Sequence, residues 1–289
     1  MYPFLKGHGT ENDFVLLPDH DGTVHGELAA ERVRALCDRR AGIGGDGVLR
    51  VIRTSAVGDA GRGQTVLDGG AEWFMDYRNS DGSVSEMCGN GVRVFGRHLA
   101  EQGLVDTSVP VPVATRAGVK VLTFAGGTTD GEITVDMGSP EFPRPRSEIT
   151  VGERTWNSLN VDMGNPHAVV QVDSLDDAGS LLEEPGYDGG VYPNGVNVEF
   201  VVRRGDHHVA MRVHERGSGE TRSCGTGACA VAVAAVWADG HVEPGHLPTE
   251  DVTFRVDVPG GTLTITWTAD NRVLMTGPAV VVAEGTTDL

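Results

Sequence analysis

Two short phrases carry the residues best able to do chemistry. Glu86-Met87-Cys88-Gly89-Asn90-Gly91 and Arg222-Ser223-Cys224-Gly225-Thr226-Gly227 share the pattern Cys-Gly-x-Gly, and each opens a run with helical character. A cysteine at a helix start sits among main-chain N–H groups that have no partner within the helix. That end of the helix dipole holds anions and lowers the pKa of a thiol. Two such thiols, one in each half of the chain, predict a pair of acid/base groups acting on one substrate. A lone cysteine is ordinarily a small buried hydrophobe. Cys37 and Cys229, inside predicted helices, keep that ordinary reading.

The spacing narrows the chemistry. The two cysteines stand 136 residues apart, whereas a dithiol redox module spaces them as Cys-x-x-Cys. A zinc site needs clustered Cys and His ligands, and His207-His208 is an isolated pair read as a turn. A single nucleophilic cysteine needs a histidine but no second cysteine. Opposed thiols suit inversion at carbon: a thiolate removes a proton from one face and a thiol returns one to the other. Pyridoxal phosphate, the usual electron sink for such carbanions, needs a lysine Schiff base. The only lysines are Lys6 and Lys120, neither in a glycine-rich anion-binding context. Without a cofactor, the carbanion must be stabilised by the amides of Gly89, Asn90, Gly225 and Thr226 at the two helix starts.

The elements that position these groups read as a duplication. Gly9-Thr10-Glu11-Asn12-Asp13-Phe14 and Gly164-Asn165-Pro166-His167-Ala168 each lead an asparagine into an apolar strand. Asn79 lies nine residues before Cys88, and Glu215 nine before Cys224. Helices are predicted over Asn90–Gln102, ending at Gly103, and Thr226–Asp239, ending at Gly240, a glycine past the last turn being a stop signal. The second is apolar all round and must be enclosed. A third helix is predicted over Glu27–Arg39, and strands over Val109–Val113, Val119–Phe124, Thr262–Thr268 and Ala279–Ala283. The glycine-rich stretch Ala56–Gly70 reads as a surface loop. The expected fold class is α/β (α+β), with two pseudo-symmetric domains, each a curled, mostly antiparallel sheet around a central helix. The active site is expected in the cleft between them. The expected domains are residues 1–131, with 275–289 crossing back, and residues 132–274.

Bulk composition bounds the rest. The chain has 289 residues and a formal net charge of −18, which argues against nucleic acid or an anionic membrane surface as partner. Glycine, at 41 residues, is about twice its usual share and predicts tight turns and close backbone approaches. The first twenty residues lack the apolar core of a secretory signal, and the longest apolar run, Ala228–Ala238, is too short to span a membrane. A cytoplasmic setting with four free thiols is expected.

The chain resembles the diaminopimelate epimerases over nearly its whole length. The motifs that carry the resemblance are Glu11-Asn12-Asp13-Phe14, Gly42-Ile43-Gly44-Gly45-Asp46-Gly47, Asn79-Ser80-Asp81-Gly82-Ser83, Met87-Cys88-Gly89-Asn90-Gly91, Met163-Gly164-Asn165-Pro166-His167, Val196-Asn197-Val198 and the run from Glu215 to Cys229. Cys-Gly-x-Gly alone would be shared with proline racemase-like proteins. The resemblance implies interconversion of LL- and meso-diaminopimelate without cofactor or metal, in lysine and peptidoglycan precursor biosynthesis, by a homodimer. It implies Cys88 and Cys224 as the acid/base pair, with His167 and Glu215 assisting them and holding the α-ammonium. Asn12, Asn79, Asn165, Asn197 and Arg216 would grip the polar ends of a small, doubly zwitterionic substrate. The chain departs from the family pattern at Gly7-His8-Gly9-Thr10-Glu11 and at Gly47, which receives no ligand role. Two rivals make different predictions. A proline or hydroxyproline racemase needs a small pocket and neither Arg216 nor the asparagines. A thiol redox or metal-binding protein needs a reversible Cys88–Cys224 couple or bound metal.

Overall fold

A computed structural model describes residues 1–58, 70–144, 146–240, 242 and 246–289. The chain divides into two compact units, Met1–Val135 with Gly277–Leu289, and Asp136–Thr276. The sequence pattern set the breaks at 131/132 and 274/275. Of the stretch read as a surface loop, residues 59–69 lie outside the described residues. The fold is α+β, mostly strand with few helices.

The first unit contains β1 (Tyr2–Gly9), β2 (Asn12–Pro18), α1 (Ala30–Cys37), β3 (Gly47–Arg53), β4 (Trp73–Asn79), α2 (Gly89–Glu101), β5 (Val111–Thr115), β6 (Gly118–Phe124), the start of β7 (Ile133–Gly138) and β18 (Val280–Thr287). Starting from β18, its strands pair in the order β18-β1-β2-β3-β4-β5-β6-β7. Only β2–β3 and β4–β5 are parallel.

The second unit contains β8 (Arg146–Val151), β9 (Arg154–Asp162), β10 (Pro166–Gln171), the short β11 (Gly186–Tyr187), β12 (Asn197–Gly205), β13 (His208–Glu215), the short β14 (Gly219–Thr221), α3 (Gly225–Ala238), β15 (Val252–Val258), β16 (Gly261–Trp267) and β17 (Val273–Gly277). Its main order is β8-β9-β10-β12-β13-β15-β16-β17, again with the third and fifth pairings parallel and the rest antiparallel. The two units thus repeat one pairing pattern. In the first, the opening position is filled by the last strand of the chain.

Each sheet packs on its own long helix. α2 touches β1, β2, β3, β4 and β18, and every residue from Gly89 to Ala100 is buried. α3 touches β9, β10, β12, β13, β15 and β16, and every residue from Gly227 to Trp237 is buried. The apolar alanine–valine composition of α3 therefore has its reason in full enclosure, and packing outweighs the weak helix propensity of valine. α2 is enclosed but not apolar. Arg97 donates from Nε to the Ala279 carbonyl at 3.0 Å and from its terminal nitrogen to that of Gly131 at 2.6 Å. Arg93 reaches the Pro278 carbonyl at 3.4 Å and the Asn90 side-chain oxygen at 3.0 Å. These guanidiniums hold the chain where it returns to β18, and hydrogen bonds to a charged donor are the stronger kind.

The helices run one residue earlier than expected at each end, with Gly103 and Gly240 past their last turns at φ +64° and +73°. The helix predicted over Glu27–Arg39 is shorter, at Ala30–Cys37. The strand predicted from Val109 begins at Val111, after Pro110, which has no N–H to give a ladder. The last strand is longer than predicted and pairs antiparallel with β1 from Tyr2↔Thr287.

Gly47, which received no ligand role, has a packing reason. A Cβ there would lie 2.5 Å from the Arg78 carbonyl oxygen and 2.6 Å from Tyr77 Cε2. Gly47→Ala should lower unfolding free energy by about 1–3 kcal/mol, read from urea midpoints, because backbone and ring must separate to admit the methyl. An unchanged midpoint would contradict this packing.

Candidate active site

In the first unit the site is built around Cys88. It is the N-cap of α2, with extended backbone (φ −141°, ψ 123°), and its Sγ accepts the Gly91 N–H at 3.4 Å. Sγ also lies 3.5 Å from Asn12 Oδ1. That same oxygen accepts from Asn90 Nδ2 at 3.2 Å, while Asn12 Nδ2 donates to Asp46 at 2.7 Å. Asn12 is aimed by its hairpin. Thr10 and Glu11 between β1 and β2 both take positive φ, +49° and +61°, the two-residue turn that matches strand twist. Asp46 is held in turn by Arg39 at 2.7 Å. The structure therefore joins Cys88, Asn12 and Asn90 in one network, with Gly89 as the first residue of the helix. Asn79 is engaged elsewhere: its amide donates to Ser83 Oγ at 2.9 Å in the turn after β4.

The second unit repeats the cap. Cys224 precedes α3 with φ −114° and ψ 115°, and its Sγ accepts the Gly227 N–H at 3.3 Å. Thr226 Oγ1 lies 3.6 Å from the sulfur, and Gly225 opens the helix. His167 is fully buried on β10. Its Nδ1 is 2.7 Å from Glu199 Oε1, and its Nε2 is 3.1 Å from Asn165 Oδ1. Asn197 acts as a clasp, donating to the Pro166 carbonyl at 3.1 Å and accepting the Arg216 N–H at 3.0 Å. The Arg216 guanidinium donates to the Asn194 carbonyl at 3.0 Å. Glu215 accepts a hydrogen bond from the Thr221 hydroxyl across the β13–β14 turn. A cavity of about 340 Å³ within this unit is lined by Asn160, Pro166, His167, Tyr192, Asn194 and Arg216, among others.

Glu199 was missed from sequence. Its signal was strand alternation: two residues beyond Asn197 on β12, it shares Asn197's side of the sheet. Val198, Phe200 and Val202 point to the opposite side, into a core with Ala168 and Val170.

The electrostatics of Cys224 differ from the expectation for a helix start. Burial pushes its thiol well above the ordinary range, and the carboxylates of Glu215 and Glu199 push it further. The Thr226 hydroxyl and the Gly227 N–H oppose this but are outweighed. The helix amide is present as predicted; desolvation beats it because Cys224 is only 6% exposed. Among the described residues no group of three or more His, Cys, Asp or Glu is placed to hold a metal ion, and no helix is long and apolar enough to cross a membrane.

Glu215→Gln should lower the pH at which Cys224 reacts with iodoacetamide, followed by mass spectrometry of the peptide that contains it. Removing the anion favours the thiolate, so reaction at a fixed pH should be faster; a slower or unchanged rate would show that Glu215 does not act on this sulfur.

Comparison with known proteins gives a consistent family. The diaminopimelate epimerase family profile matches residues 4–143 and 159–282. A diaminopimelate epimerase of Streptomyces coelicolor is 58% identical over 286 residues, covering 99% of this chain and 95% of that protein. One from Rhodococcus opacus is 47% identical, covering 99% and 96%. Among solved structures, a hydroxyproline epimerase from Agrobacterium vitis with bound trans-4-hydroxy-L-proline superposes with a TM-score of 0.62 at 17% identity, covering 98% of this chain and 91% of that one. A Bacillus anthracis phenazine biosynthesis protein gives 0.64 at 16% identity, covering 100% and 99%. At such identities these structures show a shared fold alone.

Proposed function

The chain belongs to the diaminopimelate epimerase family, and on that premise we propose that it interconverts LL- and meso-diaminopimelate by proton transfer at one α-carbon, with no cofactor. Cys88 and Cys224 are the acid/base pair. One sulfur, as thiolate, takes the α-proton as the C–H bond breaks, and its electron pair spreads into the carboxylate as an enediolate-like anion. The other, as thiol, delivers a proton to the opposite face and is left as thiolate. The reverse reaction exchanges the roles.

The observation that carries this reading is the repeated cap: in each unit a cysteine sulfur accepts the amide three residues on, at 3.4 Å for Cys88 and 3.3 Å for Cys224. The amides of the same first turns, those of Gly89, Asn90, Gly225 and Thr226, are the donors for the developing carboxylate charge. Burial and neighbouring carboxylates favour the protonated form of Cys224, which suits it to give a proton. His167 and Glu215 assist and hold the α-ammonium. Asn12, Asn165, Asn197 and Arg216 hold the polar ends of the substrate, and Asn79 joins them by exchanging its bond to the Ser83 hydroxyl. The side chains of Asn12 and Asn197 are already fixed by Asp46 and by the Pro166 carbonyl, so little ordering remains to be done on binding. The setting is the cytoplasm, the assembly a homodimer, and the product a precursor for lysine and peptidoglycan.

Incubation with LL-diaminopimelate in heavy water should give the meso product carrying deuterium at the inverted α-carbon, read by mass spectrometry. Product without solvent-derived label would refute proton exchange with two bases, and turnover of proline or hydroxyproline instead would move the reading to that class. Cys88→Ala and Cys224→Ala should each lower kcat by at least about a thousandfold, each removing a group that transfers a proton in the transition state. Cys37→Ala should leave kcat nearly unchanged, since Cys37 is buried beside α1 residues Val33 and Leu36 in a separate apolar cluster.

A further inference from the structure

The repeated pairing pattern allows the two units to be compared position by position. In the parallel pair β2–β3, Phe14 faces Gly47 and Leu16 faces Leu49. In the corresponding pair β10–β12, His167 faces Asn197 and Val169 faces Glu199. His167 therefore occupies the place of Phe14, and Glu199 that of Leu49. The helices agree. A Cβ on Gly91, third residue of α2, would meet Leu49 at 3.3 Å and Phe14 at 3.5 Å. A Cβ on Gly227, third residue of α3, would meet Glu199 Oε1 at 2.7 Å. All four side chains are buried, at 0% exposure.

One unit thus fills this position beneath the helix with an apolar pair, and the other with an imidazole and a carboxylate. Packing does not require the polar pair, because the same architecture is completed by phenylalanine and leucine. Stability does not favour it either. Burying a carboxylate is costly, and a buried pair is often matched or bettered by apolar residues of similar volume. The cost is compounded here because Glu199 Oε2 is buried with no hydrogen-bond partner among the described residues.

We infer that Glu199 is a positioning residue of the active site: its carboxylate accepts the Nδ1–H of His167, fixes the ring and tautomer, and leaves Nε2 as the basic nitrogen, to which Asn165 donates once its carboxamide is turned to present Nδ2. The inference rests on the epimerase reading for its kinetic part only. Nδ1 and Oε1 are 2.7 Å apart with both side chains fully buried, so the ring cannot turn to water for an alternative acceptor. Asn165 places Oδ1 3.1 Å from Nε2, and a half-turn of its carboxamide puts the Nδ2 donor there instead. The arrangement parallels the acid–histidine pairs in which a buried carboxylate selects the working tautomer. The titratable groups that interact with Glu199 are His167 on β10, Cys224 at the start of α3 and Tyr192, and Glu215, at the end of β13, acts on the same Cys224. Tyr192's hydroxyl is pushed up to about 12, chiefly by burial, with Glu199 contributing. Glu199 also helps hold Cys224 protonated, so its charge acts on the cysteine as well as on the histidine.

The test uses the full chain in three forms: wild type, Glu199→Gln, and the double variant His167→Phe/Glu199→Leu, which copies the pair of the first unit. In wild-type protein labelled with 15N-histidine, the His167 signal, assigned by its loss in the double variant, should show a proton on Nδ1. Glu199→Gln keeps the shape and removes the charge. Its kcat should fall about a hundredfold with KM within about threefold, and Cys224 should react with iodoacetamide at lower pH than in wild type. The double variant should unfold at a urea concentration no lower than wild type while losing turnover. A wild-type ring protonated only on Nε2, an unchanged kcat and Cys224 profile in Glu199→Gln, or a double variant that is clearly less stable would each overturn the inference. The nitrogen, alkylation and unfolding readouts need no substrate, so they fail or succeed separately from the epimerase reading, which the deuterium experiment tests.

Discussion

A helix enclosed along its length cannot leave its first amides to water. α2 and α3 are both buried from their first turn, and both close that turn with a cysteine sulfur accepting the N–H three residues on. The rest of the site follows from this bond. It fixes where each thiol sits, and it requires glycine at the third helical position, where β-carbons would press on Leu49 in one unit and on Glu199 in the other. It also sets the neighbouring amides beside the sulfur, the arrangement by which helix starts hold anions. The bond that stabilises the fold and the amides suited to stabilise a developing anion thus lie in the same helical turn.

What surrounds that bond decides the charge on the sulfur. A helix start stabilises a thiolate by an interaction that falls off within one turn. Removal from water disfavours the thiolate more strongly, and nearby carboxylates add to the penalty. At Cys224 the second set wins. The dipole is better regarded here as a means of directing N–H groups than as the determinant of protonation.

Much of this was legible in the sequence because it is written in local, repeated signals. Cys-Gly-x-Gly fixed both helix starts to within a residue, and the glycines after them fixed both ends. Asn12, His167 and Asn165 stand in polar networks at positions the duplication pointed to. Other features were not legible, for identifiable reasons. Asn79 carries the right residue type, but its amide is engaged by Ser83 four residues on, a local bond that motif spacing does not reveal. The first helix is shorter than its periodicity because Asp38 takes up an extended conformation that ends it. Glu199 lies in a run of otherwise apolar strand residues, and only the neighbouring strand and the overlying helix show that it faces His167. Long-range register, not composition, gives that carboxylate its meaning.

The asymmetry between the units bears on how a pair of like residues can do unlike work. Two cysteines in identical surroundings would share one preferred protonation state, and inversion by proton transfer needs one thiolate and one thiol at the same moment. The shared pairing pattern supplies two equivalent caps; the side chains beneath them break the equivalence. Phe14 and Leu49 put no charge under the first helix, whereas Glu199 and Glu215 each put negative charge near Cys224 and favour its proton. A buried polar pair in one half and an apolar pair in the other thus gives a duplicated fold two equivalent caps in unlike surroundings.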